Sequence, residues 1–137
     1  IELEPVMSVR GRVTRVVYPQ VGDGVGYGMT YRVPKQNIQI ATVPVGYADG
    51  LARELSNNMD VLVNGRRARQ VGNICMDQCM ADLSQVPDAQ IGDTAIIYGN
   101  GSDNAPDIQE ISQLAQTNKN EIVSRLSSRP ARIYMNA

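Results

Sequence analysis

The sequence predicts a mainly β domain, a Greek-key-like barrel or sandwich, closed by two short C-terminal helices. Three observations carry this expectation. β-branched and aromatic residues fall in short runs separated by Gly, Pro, Asn and Asp. An Asn-Gly pair, Asn64-Gly65, sits between two such runs. Helix start signals appear only from Asp107 onward.

The first run holds Val9, Val13, Val16 and Val17 among Arg10, Arg12, Thr14 and Arg15, and predicts one long strand that Pro19 ends. Gly22, Asp23, Gly24 and Gly26 follow as a turn cluster. A second strand is expected over residues 27–33, stopped by Pro34, and a third over 38–45, where Ile38, Ile40 and Thr42 share a face. Residues 46–50 read as a turn into a short helix, 51–55. Residues 61–63 and 66–70 then flank Asn64-Gly65 as a two-residue hairpin, because both turn positions need positive φ and this pair adopts it with little strain. Residues 71–81 and 93–98 supply further strands, the last after an Ile91-Gly92-Asp93 turn.

The chain changes character at Asp107. Asp107 and Glu110 predict a capping box, and Ile108, Ile111, Leu114 and Ala115 share one helical face. Asn118 and Glu121 repeat the signature for a second helix with Ile122, Val123 and Leu126 on its apolar face, closed by Pro130. Residues 132–135 read as a final strand. With no internal repeat, low-complexity tract or linker, residues 1–137 are expected to form one domain.

Composition narrows the function. The 137 residues are 42% hydrophobic, enough for an ordinary core. A net charge of −1 argues against nucleic-acid binding and against a polybasic membrane patch. Only Arg66, Arg67 and Arg69 approach a basic cluster. No apolar run nears the roughly 20 residues of a membrane span, and the acidic start does not resemble a secretion signal. Ile1 in the place of Met is expected of a piece cut from a longer chain. Cys75 and Cys79, placed on one strand, would share a face too far apart to bridge. They are expected to be free, buried thiols, which suits a cytoplasmic location. The sequence contains no histidine, which removes the commonest general base and most zinc sites, and no metal site is expected.

Two Tyr-Gly pairs stand out, Tyr27-Gly28 and Gly46-Tyr47. Glycine beside tyrosine lets a backbone or a ligand approach closely. On the residues alone, these tyrosines fit strand ends as well as they fit a site. The two lysines, Lys35 and Lys119, lie in no apolar strand-end context, and there is no GxGxxG or P-loop. Asp49 and Asp77 read as carboxylates that fix loops by accepting backbone N–H groups.

Several segments, in order, resemble the alanine racemase family. Val25-Gly26-Tyr27-Gly28-Met29-Thr30-Tyr31 is similar to the strand carrying that family's catalytic tyrosine. Val43-Pro44-Val45-Gly46-Tyr47-Ala48-Asp49-Gly50 resembles its Gly-Tyr-Ala-Asp-Gly signature. Val71-Gly72-Asn73-Ile74-Cys75-Met76-Asp77-Gln78 resembles its Val-Gly-x-x-Cys-Met-Asp-Gln signature. Leu3-x-Pro5-Val6-Met7-Ser8 and the Arg-x-x-Arg-x-Tyr pattern from Arg129 to Tyr134 are similar to the opening and close of its C-terminal domain.

The resemblance implies the C-terminal β domain of a larger pyridoxal-phosphate-dependent racemase. It implies an N-terminal α/β barrel, outside this chain, that holds the cofactor on a lysine. It also implies a head-to-tail homodimer whose active sites are shared between subunits. Racemisation needs a base on each face of the α-carbon, with the cofactor as electron sink. By resemblance Tyr27 is the base that takes the α-proton of the L-enantiomer, and the lysine serves the other face. A phenol working as a base near neutrality needs positive charge close by. The sequence neighbours of Tyr27 supply none, so that charge is expected from the fold or from the barrel.

Met76 matches the position whose main-chain N–H binds the substrate carboxylate. Tyr47 matches a tyrosine lining the substrate channel. Asn120 stands where many members carry a tyrosine that contacts the cofactor phosphate and crowds the substrate methyl. A short amide widens that pocket and can bond a hydroxyl, which implies serine as a substrate beside alanine. The resemblance therefore extends to the serine/alanine racemases linked to vancomycin resistance, whose racemase module follows a membrane domain. The implied reaction interconverts L- and D-alanine, L- and D-serine, or both, for peptidoglycan precursors. This domain alone is expected to be inactive without the cofactor lysine and to contact neither nucleic acid nor membrane. The alternative is a non-catalytic β-barrel interaction module.

Overall fold

Asn64 and Gly65 take φ of 49° and 76° and join two strands that pair antiparallel, as the turn chemistry requires. A computed structural model describes residue 1 and residues 3–135. Its strands are β1 (Val9–Arg12), β2 (Arg15–Val17), β3 (Gly24–Val25), β4 (Tyr31–Arg32), β5 (Ile40–Val43), β6 (Asp60–Val63), β7 (Arg66–Val71), β8 (Cys79–Asp82) and β9 (Thr94–Tyr98). Helices α1 (Ile108–Leu114) and α2 (Lys119–Ser124) follow.

Seven strands form one antiparallel sheet in the order β1-β9-β6-β7-β8-β5-β2, and β3 and β4 form a separate hairpin. The run β6-β7-β8 is a meander, and β5 returns beside β8, which gives the expected Greek-key arrangement. The predicted first strand is broken in two. β1 pairs with β9 and β2 with β5, so one bent segment lies against both edges of the curled sheet. At the bend, the Val13 N–H donates to Asp93 O and the Thr14 N–H to Thr42 O, both at 2.9 Å. The sheet thus covers its own edges, where unpaired N–H and C=O groups would otherwise recruit other strands.

The core lies inside the curl. Leu55, Met59, Val61, Val63, Leu83 and Ile97 are essentially inaccessible, and Ile111 of α1 and Ile122 of α2 complete the same cluster. Each such side chain contributes about 1.5–3 kcal/mol when fully buried. A smaller cluster of Val25, Val33, Ile38, Val71, Cys75 and Met80 anchors the β3–β4 hairpin. Both helix starts form as expected. Asp107 accepts the Glu110 N–H at 2.8 Å and Asn118 the Glu121 N–H at 3.0 Å. The reciprocal half of the first capping box gives way to a stronger partner. The Glu110 carboxylate takes Arg67 in a two-pronged pair at 2.7 and 3.0 Å.

Four other expectations are corrected. Residues 27–33 are not one strand. Gly26 and Gly28 take φ of 73° and 75° and Met29 takes 50°, so Tyr27–Met29 forms a 3-10 turn and pairing resumes only at Tyr31. Residues 51–55 hold only a 3-10 turn, Arg53–Leu55, because Ala52 is extended. Residues 71–81 are split by a loop over 72–78, so Cys75 lies in the loop and only Cys79 in a strand. Both thiols are free and buried, and burial pushes Cys79 up to about 12. Residues 132–135 form no strand with any described residue and expose Ile133, Tyr134 and Met135. The three clustered arginines each face a carboxylate. Arg66 faces Asp88 at 3.4 Å, Arg67 faces Glu110 at 2.7 Å and Arg69 faces Asp60 at 3.2 Å.

Candidate functional site

Loop 72–78 is the organiser. Its first residue, Gly72, lies so near β3 that a Cβ there would sit 2.5 Å from Val25 O. One residue on, the Asn73 side-chain amide donates to Tyr27 O at 2.8 Å. The Tyr27 turn is therefore clamped from below through its main chain. Tyr27 itself is 76% exposed.

Tyr27 stands at the rim of a cleft of about 510 Å³. Arg15, Asp23, Thr42, Cys75 and Gln78 are among its other walls, and Arg15 is the single cation lining it among the described residues. The fold thus brings one positive charge to the cleft that the sequence around Tyr27 lacks. Tyr31, four residues on, is a different kind of tyrosine. Its hydroxyl donates to Asp82 at 3.3 Å, and burial first, then the Asp82 charge and that bond, raise its pKa. Tyr98 is pushed up to about 12 by burial. Both keep their protons and neither suits acid–base work.

Tyr47 opens a second turn, Tyr47–Asp49, pressed against the same loop. The Tyr47 N–H donates to Cys75 O at 3.0 Å and the Ala48 N–H to Met76 O at 2.8 Å. Gly46 makes the approach possible, since a Cβ there would lie 2.3 Å from Cys75 O and 2.5 Å from Met76 O. Asp49 fixes this turn as expected, accepting the Gly46 N–H at 2.8 Å. It is buried, and its charge is met by Arg129, whose Nε and Nη2 donate to it at 2.6 and 3.1 Å. That ion pair was not legible as a partnership, although Arg129 opens the closing Arg-x-x-Arg pattern. Asp77 behaves otherwise. Its carboxylate accepts no backbone N–H among the described residues, and its main-chain O takes Arg129 Nη2 at 3.5 Å.

Met76 lies in loop 72–78 and is 59% exposed. Its C=O is taken by Ala48, while its N–H has no acceptor among the described residues. This is the state of a main-chain donor with its hydrogen bond still to give. Tyr27, Tyr47 and Met76 are thus gathered by one loop. Asn120 is not. It is exposed at the start of α2 and borders a separate depression of about 400 Å³ with Gln109, Ser112, Gln113 and Thr117. No bond joins it to the other three among the described residues.

A pyridoxal phosphate site needs an amine to hold the cofactor. Lys35 is exposed in the connection between β4 and β5, and Lys119 is exposed on α2. Neither lines the Tyr27 cleft. The residues of this chain do not fit that cofactor by themselves.

The sequence profile described as "Alanine racemase, C-terminal domain" matches residues 6–134. The chain belongs to the alanine racemase C-terminal domain family. It is similar to the alanine racemase of Desulfovibrio desulfuricans, with 43% identity over 98% of this chain and 35% of that relative. Among solved structures it is similar to the alanine racemase of Streptomyces coelicolor A3(2), with a TM-score of 0.92, 36% identity, and coverage of 98% of this chain and 35% of that one. It is also similar to the biosynthetic alanine racemase of Pseudomonas aeruginosa, with a TM-score of 0.89, 34% identity, and coverage of 98% and 36%. This alanine racemase domain spans about a third of the length of the relatives it matches.

Proposed function

We propose that this domain completes the active site of an amino-acid racemase, presenting Tyr27 to a substrate and cofactor held by a partner subunit. The observation that carries the reading is the gathering around loop 72–78 of exposed Tyr27, Tyr47 and the Met76 N–H, which has no acceptor among the described residues. In this reading the Tyr27 phenol oxygen takes the α-proton from the L-enantiomer and returns one to the same face in reverse. The Met76 N–H orients the substrate carboxylate, and Tyr47 narrows the approach. Pyridoxal phosphate is held by the rest of the enzyme, since no lysine of this chain reaches the cleft. Two free, buried thiols support a reducing, cytoplasmic setting. No helix among the described residues is long and apolar enough to cross a membrane.

Sharing between subunits has a direct test. A Tyr27→Phe subunit and a subunit lacking the cofactor lysine should each be inactive. Random assortment of the two should restore about a quarter of the parental rate, because half the dimers are mixed and each mixed dimer holds one intact site. Mixtures that remain inactive despite forming mixed dimers would exclude action in trans.

Within this reading we assign serine, beside alanine, as a substrate, as in the vancomycin-resistance-type racemases. Asn120 supports it. A short exposed amide leaves room and offers both donor and acceptor to a hydroxyl. Asn120→Tyr in the full enzyme should lower kcat/KM for L-serine relative to L-alanine by roughly 10-fold or more, the scale of one lost hydrogen bond plus lost space. An unchanged ratio excludes serine recognition by Asn120. Asn120 lies apart from the Tyr27 cleft, so the assigned position beside the substrate and the cofactor phosphate needs surfaces from outside this chain.

A further inference from the structure

The Tyr27 phenol makes no hydrogen bond to any described residue, so its direction is inherited from its main chain. That main chain is a turn with three positive φ angles, at Gly26, Gly28 and Met29, and Met29 reaches 50° with a side chain attached. Such a turn holds one shape only if its surroundings impose it. Three contacts do so, and two of them trace to one residue, Asn57.

Asn57 lies in the connection between residues 55 and 60 and itself adopts φ of 60°. Its N–H donates to Gln70 Oε1 at 2.7 Å. Gln70 is fully buried, and its amide donates onward to Gly72 O at 2.8 Å. The Asn57 side chain then reaches both flanks of the Tyr27 turn. Its Oδ1 accepts the Gly72 N–H at 2.6 Å, and Gly72 is the residue packed on Val25 just before the turn. Its Nδ2 donates to Thr30 Oγ1 at 3.0 Å, just after the turn. The third contact, Asn73 to Tyr27 O, holds the centre.

We propose that Asn57 is a positioning residue for Tyr27, coupling the buried Gln70 amide to both ends of the turn that aims the phenol. This deepens the racemase reading and rests on it. Asn57 does not line the Tyr27 cleft. It acts by fixing where the phenol oxygen stands, and misplacement on the scale of 1 Å is enough to slow a proton transfer.

The test uses the full enzyme and three variants. Thr30→Val removes the acceptor while keeping the shape, Thr30→Ser keeps the hydroxyl, and Asn57→Ala removes both side-chain bonds. Thr30→Val should lower kcat roughly 10-fold with KM within about 2-fold, and Asn57→Ala should lower it further. Thr30→Ser should restore the rate. The deuterium isotope effect should rise with α-deuterated L-substrate and fall with the D-substrate, because only the proton transfer at Tyr27 has slowed. Amide hydrogen exchange over residues 26–30 should quicken in Thr30→Val. A residue with a merely structural role would not shift the two isotope effects in opposite directions. Wild-type kcat and isotope effects in Thr30→Val and Asn57→Ala, alongside an inactive Tyr27→Phe, would overturn the proposal and leave the racemase reading intact. An active Tyr27→Phe would remove the reading beneath it.

Discussion

Tyr27→Phe in the full enzyme should lower kcat for L-alanine by roughly 10³-fold while KM changes by less than about 3-fold. One oxygen atom is lost, and the physical case for so specific an effect lies in how the turn is built. The contacts that hold it do not use the Tyr27 side chain: Asn73 to Tyr27 O, Asn57 to Thr30 Oγ1, and the approach of Gly72 to Val25. Phenylalanine keeps all of them. The phenol itself is exposed and bonds to no described residue, so its removal disturbs neither packing nor folding. Under the proposed reading the change removes a proton carrier and leaves the Met76 N–H untouched. Binding should therefore survive and turnover should not. Steady-state racemisation followed by circular dichroism reads both constants. A variant that keeps its kcat would show that Tyr27 is not an acid–base group.

Gly46→Ala should be among the most damaging single methyl additions in the domain. The added Cβ would stand 2.3 Å from Cys75 O and 2.5 Å from Met76 O, and both are main-chain atoms that cannot swing aside. Gly46 has φ of −141°, which any residue adopts, so the penalty is overlap and not backbone strain. Relief requires the Tyr47 turn and loop 72–78 to part, which breaks the Tyr47–Cys75 and Ala48–Met76 hydrogen bonds. Overpacking of this kind costs about 3 kcal/mol, the upper end for a rigid contact. The expected result is a denaturation midpoint lowered by roughly 6–12 °C and a raised KM, since the Met76 N–H moves with its loop. A midpoint within 2 °C of the parent, by calorimetry, would show the contact to be looser than described.

Local chemistry was legible and long-range geometry was not. Asn64-Gly65, Asp107 and Asn118 announced a hairpin and two helix starts, because each acts on neighbours within four residues. Residues 27–33 look like a strand by composition, and the alternation hides what three positive φ angles do. The same segment could be matched to a family signature without its shape being known. For the site, Tyr27, Tyr47 and Met76 were visible as motif residues, yet nothing in their spacing showed that loop 72–78 gathers them. Arg129 and Asp49 are eighty positions apart in the chain, and no local rule pairs a surface arginine with a buried carboxylate at that distance. Asn57 and Gln70 were silent for the same reason: single polar residues in unremarkable contexts, meaningful only once folded.

The bent segment that carries β1 and β2 has a consequence for how the domain comes into being. Val17 pairs with Ile40 but Val9 pairs with Tyr98, so the β1 half of the segment is held by a partner made much later. Long-range pairing is slow because the loop must close before its contacts form. During synthesis β2 can pair once β5 is made, whereas β1 waits, with its main-chain groups unpaired, until the chain has grown past residue 98. The meander β6-β7-β8 needs no such wait and can assemble first. Closure of the sheet is therefore a late kinetic event, and the interval before it is when this domain is most open to pairing with the wrong chain.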